Sequence, residues 1–92
     1  MKQFDIEKVY NAYCQLSKSQ RKAVLSRLNE KGMHLTAIEA YTYPEAPGCK
    51  HLFFYFKNSD EAVPYYLLTE EQLMIIQKII LSRHFPFKPK IT

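Results

Sequence analysis

Tryptophan is absent from this chain, and glycine occurs only twice in 92 residues. Two glycines do not build a phosphate-cradling loop, and neither an H-E-x-x-H pair nor a nucleophile elbow occurs. Cysteine is as scarce: Cys14 and Cys49 are too few for a disulfide framework. No run approaches the ~20 apolar residues needed to cross a bilayer. The start, "MKQFDIEKVY", has acidic residues where a signal peptide would be apolar. Together these absences predict a chain made and kept in a cytosol, with both thiols reduced. They predict no enzyme chemistry, no cofactor, no metal and no membrane.

What the chain has in surplus is rings. It is 47% hydrophobic and 24% charged, a globular balance, with seven tyrosines and six phenylalanines. Between residues 49 and 68, "CKHLFFYFKNSDEAVPYYLL" gathers Phe53, Phe54, Tyr55, Phe56, Tyr65 and Tyr66 beside His51. Tyrosine joins an apolar body to a polar tip and suits cores and contact surfaces alike. Charge is uneven within the net +4: residues 1–32 carry +4, residues 33–82 carry −3 and residues 83–92 carry +3. Basic ends around an acidic middle fit either a charged partner or compensation within the fold.

The local signals order the elements. Asp5 reads as an N-cap whose flanks, Phe4 and Val9, stand at the positions of a hydrophobic staple. Ile6, Val9, Tyr10, Tyr13 and Leu16 then recur at helical spacing, predicting a helix over about 6–16. Ser17 and Gln20 fit a capping box and open a second helix, about 18–31, which turns Val24, Leu25 and Leu28 inward. Gly32 ends it, with Met33 placed to touch Leu28 as a Schellman motif requires. Strands are predicted over about 33–43, 51–57 and 63–68, with "PEAPGCK" as a break between the first two. Pro64 assigns the third strand to a sheet edge or makes the proline its first residue. Thr69 and Gln72 repeat the capping-box spacing and open a third helix, about 70–83, followed by an extended basic tail, 84–92. The expected fold is a single α+β domain of order α-α-β-β-β-α, a three-stranded antiparallel meander packed against helices.

Alternation divides "HLFFYF": Leu52, Phe54 and Phe56 share the core face, and His51, Phe53 and Tyr55 share a face that is partly wet. That second row, with Tyr65 and Tyr66, is the first candidate contact surface. The third helix is apolar almost all round. Leu73, Ile76 and Ile80 make one stripe, while Met74, Leu81 and Phe85 make a second patch that is either buried or offered to a partner or another copy. Phe85 and Phe87 alternate with Pro86 ahead of Lys88 and Lys90, so the tail fits docking as an added strand or folding back on its own sheet.

The second helix collects Lys18, Arg21, Lys22, Arg27 and Lys31, but projection scatters them. Lys18 and Lys22 flank the apolar stripe on one side, Arg27 and Lys31 on the other, and Arg21 falls within it. A nucleic-acid-reading helix gathers its cations on one face. His34, Cys49 and His51 lack the paired spacings of a structural zinc site. Glu39, an isolated carboxylate in an apolar strand, reads as an edge charge that discourages sheet-to-sheet association.

These signatures belong to folding and to no one family. They lead to a non-enzymatic protein-binding module, a small intracellular regulator or inhibitor that occludes another protein. Its size is that of inhibitors carried by phages and other mobile elements, some of them directed at host defence. One alternative is single-stranded nucleic-acid binding, with sheet rings stacking on bases and the second helix's cations on phosphates. Another is a homodimer joined through the third helix.

Overall fold

The structure, a computed structural model, describes residues 4–82. It follows the expected order: α1 (Ile6–Cys14), α2 (Lys18–Glu30), β1 (Leu35–Tyr43), β2 (Ala46–Phe56), β3 (Ala62–Pro64) and α3 (Glu70–Ile80). The strands form one antiparallel sheet in the order β1-β2-β3. Among the described residues, no helix is long and apolar enough to cross a membrane.

The helix ends follow their caps. Asp5 accepts the Lys8 N–H, and both capping boxes close in full, Ser17 with Gln20 and Thr69 with Gln72. At the end of α2, Gly32 takes φ +91° and its N–H donates to the Asn29 carbonyl. The Met33 N–H reaches the Leu28 carbonyl at 3.3 Å, and both side chains are buried in one core, which completes the Schellman motif. His34 follows in the left-handed region at φ 61°, and its carbonyl accepts the Lys57 N–H.

Several boundaries differ from the sequence reading. The first helix stops at Cys14, two residues early, because the Gln15 and Leu16 N–H groups close it by donating to the Ala12 and Tyr13 carbonyls. The third helix ends at Ile80, and the tail 84–92 lies outside the described residues. The first strand begins at Leu35, since Gly32 and His34 hold a turn before it. Only Pro44 and Glu45 form the turn into β2, which starts at Ala46 rather than 51. The prolines and glycine of "PEAPGCK" do not end the pairing. Tyr43 faces Ala46 and Thr42 faces Lys50, so residues 47–49 stand in a bulge without β1 partners. There Pro47 costs no ladder hydrogen bond. The third strand stops at Pro64, an edge position as expected, and Tyr65–Leu67 form a 3-10 turn instead of continuing it.

A second bulge, at Thr36, sets which side of β1 faces inward. Leu35 pairs with Phe56 and Ala37 with Tyr55, so one residue is skipped and the alternation changes phase. Leu35 is therefore buried, yet beyond the bulge it is Ile38 and Ala40 that pack on the core while Glu39 and Tyr41 point away. The core joins Val9 and Tyr13 of α1, Val24 and Leu28 of α2, Leu52 and Phe54 of β2, and Ile76, Ile79 and Ile80 of α3. Helix α1 rests on β2 and β1, α2 on β1, and α3 chiefly on α1 and α2. The helices thus form one layer against one face of the sheet.

Long-range hydrogen bonds fasten that layer. Asn29 donates to the Leu35 carbonyl at 2.9 Å and accepts the Leu35 N–H at 2.6 Å, tying α2 to the start of β1. Gln77 of α3 accepts the Asp5 N–H at 2.8 Å. It does for α1 what a capping-box glutamine does from within a helix.

Candidate functional site

The second face of the sheet carries no α-helix among the described residues. Cross-strand pairing builds it: Tyr41 stands opposite His51, Glu39 opposite Phe53 and Ala37 opposite Tyr55, with Pro64 and Ala62 on the far side of β2. The rings of this face rest on one another. His51 is stacked on Phe53, with centroids 6.0 Å apart and planes at 15°. Tyr43 and Tyr66 approach His51 edge-on at 5.1 and 6.1 Å, and Tyr65 lies 6.0 Å away. Tyr41 bridges Tyr43 and Phe53 at 5.0 and 6.2 Å. Edge-on and offset contacts are the arrangements ring quadrupoles favour.

The field is continuous but graded in exposure. His51, Phe53 and Tyr55 are half-buried, whereas Tyr41 is 37% exposed, Tyr66 60% and Leu67 68%. Tyr65 is its seam with the core, touching Phe4 at 5.6 Å on one side and Tyr66 at 5.4 Å on the other. At its centre, His51 Nδ1 is shielded from solvent and has no hydrogen-bond partner among the described residues. An imidazole nitrogen left so forfeits a hydrogen bond that water would supply, about 1–3 kcal/mol for a buried polar group.

The electrostatics of this face are specific. The paired rows Ala37–Glu39–Tyr41 and His51–Phe53–Tyr55 contain one carboxylate and neither lysine nor arginine. The Tyr55 hydroxyl donates to Glu39 Oε1 at 2.7 Å, and that bond to a carboxylate pushes the phenol pKa up. Glu39 is thus a partner for Tyr55 on the open face as well as an edge-strand charge. Lys50, adjacent to His51 in sequence, turns to the helix side, where it meets Glu7 at 3.2 Å and lies 6.0 Å over the Tyr10 ring.

The structure brings His51, Phe53, Tyr55, Tyr65 and Tyr66 together. It adds Tyr41 and Tyr43, which the sequence reading passed over. Their place depends on the turn at Pro44 and Glu45, and reading "PEAPGCK" as a loop hid the register that sets them against His51. Met74 and Leu81 are not part of this field. They are half-buried on α3 and line a shallow hollow with Gln77 and Lys78. Phe85, Phe87 and Lys88 lie outside the described residues.

The cations of α2 are divided among separate tasks. Arg21 donates to the carbonyls of Tyr13 and Cys14, each at 3.2 Å, and its guanidinium lies 4.8 Å over the Tyr13 ring. It closes the end of α1. Lys18 and Lys22 are exposed on the N-terminal half of α2, while Arg27 and Lys31 face α3 near its end. Because α2 packs within the helix layer, these cations and the ring field lie on opposite sides of the sheet.

No protein-family model matches this chain, and neither a curated protein nor a solved structure is similar to it at a significant level.

Proposed function

We propose that the chain is a non-enzymatic protein-binding module, a small regulator or inhibitor that covers part of its partner with the open face of its sheet. The observation that carries this reading is the ring field, five aromatic side chains linked through one another and through His51, with no covering helix among the described residues. Tyrosines in such a field supply large, rigid contact area at low conformational cost, with hydroxyls ready for the rim. The partner surface that suits it presents arginine or lysine beside apolar groups. Glu39 attracts the cation, and the tyrosine faces accept it. A second copy of the same face brings no cation to Glu39, so charge favours a foreign partner over a face-to-face homodimer.

Nucleic-acid binding is the weaker reading on the same geometry. Proteins that stack bases set their rings beside the cations that hold phosphates, and here the two are on opposite sides. The test compares immobilised wild type with Tyr41→Ser/Tyr66→Ser and Lys18→Glu/Lys22→Glu in lysate of the native cell, followed by affinity measurement on the captured protein. The expected result is about tenfold or greater loss for the tyrosine variant, equivalent to one or two lost interface anchors, and little change for the lysine variant. Equal binding by the tyrosine variant and wild type overturns the proposal.

A further inference from the structure

Away from the ring field, the C-terminal halves of α2 and α3 enclose a groove of about 400 Å³. Its lining is Arg27, Lys31, Ile75, Lys78, Ile79 and Ser82. We infer that this groove is a binding site for a small anionic amphiphile, a carboxylate or phosphate head joined to a short apolar body.

The lining divides in two. Ile75 and Ile79 are successive turns of one helix face and give an apolar wall. Arg27 and Lys31 are a turn apart on α2, and Lys78 stands on α3, so three cations share one small space with no carboxylate in the lining. Among the described residues, none of the three takes part in an ion pair or a hydrogen bond. Arg21 and Lys50, by contrast, are engaged by carbonyls and by Glu7.

A structural explanation accounts for part of this charge. Arg27 and Lys78 fall in the last turns of their helices, where a cation answers the exposed carbonyls. Two helix C-termini contribute roughly −0.5 each. Three cations exceed that, and the surplus is positive and faces an apolar wall. The volume lies within the range of small-molecule sites, about 300–1,000 Å³. An inorganic anion would leave the isoleucines unused and a neutral hydrocarbon would leave the cations unused. Nucleic acid needs a longer track of charge than one groove end provides.

The proposal is tested on the full chain by following backbone amide resonances while titrating decanoate, decyl phosphate, decanol and inorganic phosphate. The expected result is saturable binding of decanoate, decyl phosphate or both, with shifts at Lys31, Ile75 and Ile79. Whichever binds more tightly identifies the preferred head group. Decanol and inorganic phosphate should each bind at least about tenfold more weakly, since each lacks half of the complementarity. Lys31→Gln/Lys78→Gln, at exposed positions, should weaken amphiphile binding about tenfold while the native amide spectrum is retained and the loss of helix-end charge costs no more than about 1 kcal/mol of stability. Decanol binding as tightly as both anionic amphiphiles, an unaffected double variant, or shifts centred on Tyr41 and Phe53 overturns the proposal.

Discussion

On the helix side of β2, Leu52 and Phe54 are wholly buried among residues from all three helices; on the other side His51 and Phe53 rest on rings from β1 and the turn after β3, and Tyr55 on Glu39. Both rows are hydrophobic enough to lose water, but only the first is enclosed. The helix-side row draws its stability from close packing on every side. The open row is ordered by ring-on-ring and hydroxyl-to-carboxylate contacts within one layer, and no helix among the described residues covers its outer surface. Adjacent residues of one strand therefore separate an enclosed row from an open one, and substitutions at neighbouring positions should have very different consequences.

The largest difference is expected between Phe54→Ala and Phe53→Ala. Removing Phe54, with 0% of its surface exposed, opens a cavity and should cost about 3–5 kcal/mol. Removing half-buried Phe53 deletes two ring contacts at the surface and should cost about 1–2 kcal/mol. Urea unfolding of both variants measures the gap; equal losses would mean that the open row is as much a core as the other. Asn29→Ala should fall between them. It leaves the N–H and carbonyl of buried Leu35 without their partners, at a cost of about 2–3 kcal/mol, and faster amide exchange at Leu35 should accompany it.

The contrast between the faces was partly legible beforehand. Alternation within "HLFFYF" assigned Leu52 and Phe54 inward and His51 and Phe53 outward, because that signal is contained in six consecutive residues. Caps were legible for the same reason: Ser17 with Gln20, Thr69 with Gln72, and Gly32 with Met33 act within one turn. What required the structure was long-range. The cap that Gln77 provides to Asp5 spans 72 positions, and no local spacing announces it. The places of Tyr41 and Tyr43 follow from a bulge that lets Pro47 and Gly48 remain within a strand, and breaker residues alone point to a loop. The bulge at Thr36 likewise reverses which residues of β1 face inward, so a single alternation does not describe that strand.

A smaller effect, of opposite sign, is expected at the centre of the ring field. His51→Phe keeps a planar ring between Tyr43 and Tyr66 but removes the unpartnered Nδ1. The variant should be more stable by about 1 kcal/mol, since a buried polar atom without a bond is lost. Chemical denaturation reads the change. If the variant also fails to capture the proposed protein partner that wild type binds, His51 has been retained for recognition at a cost to the fold, as stability–function trade-offs describe. If it is less stable than wild type, the nitrogen has a structural partner in solution and the open face is better satisfied than its geometry implies.

The finest distinction between the faces is in how each raises a tyrosine pKa. Tyr13, on the helix side, is raised first by burial, with the nearby Arg21 charge opposing. Tyr55, on the open side, is raised first by its hydrogen bond to the Glu39 carboxylate. Both groups titrate higher in the folded chain than the ordinary 10.0, so the fold favours their protonated forms. The stability each contributes is complete below pH 10 and is lost as pH rises through the folded-state value. Glu39→Gln separates the two causes. It replaces a charged acceptor with a neutral one, so Tyr55 should return toward 10.0 while Tyr13 stays raised. Residue-resolved NMR titration of the tyrosine rings distinguishes the outcomes. A Tyr55 that keeps its raised value in Glu39→Gln would mean that surrounding rings already withdraw it from water, and the open face would then resemble the covered one more closely than its exposure indicates.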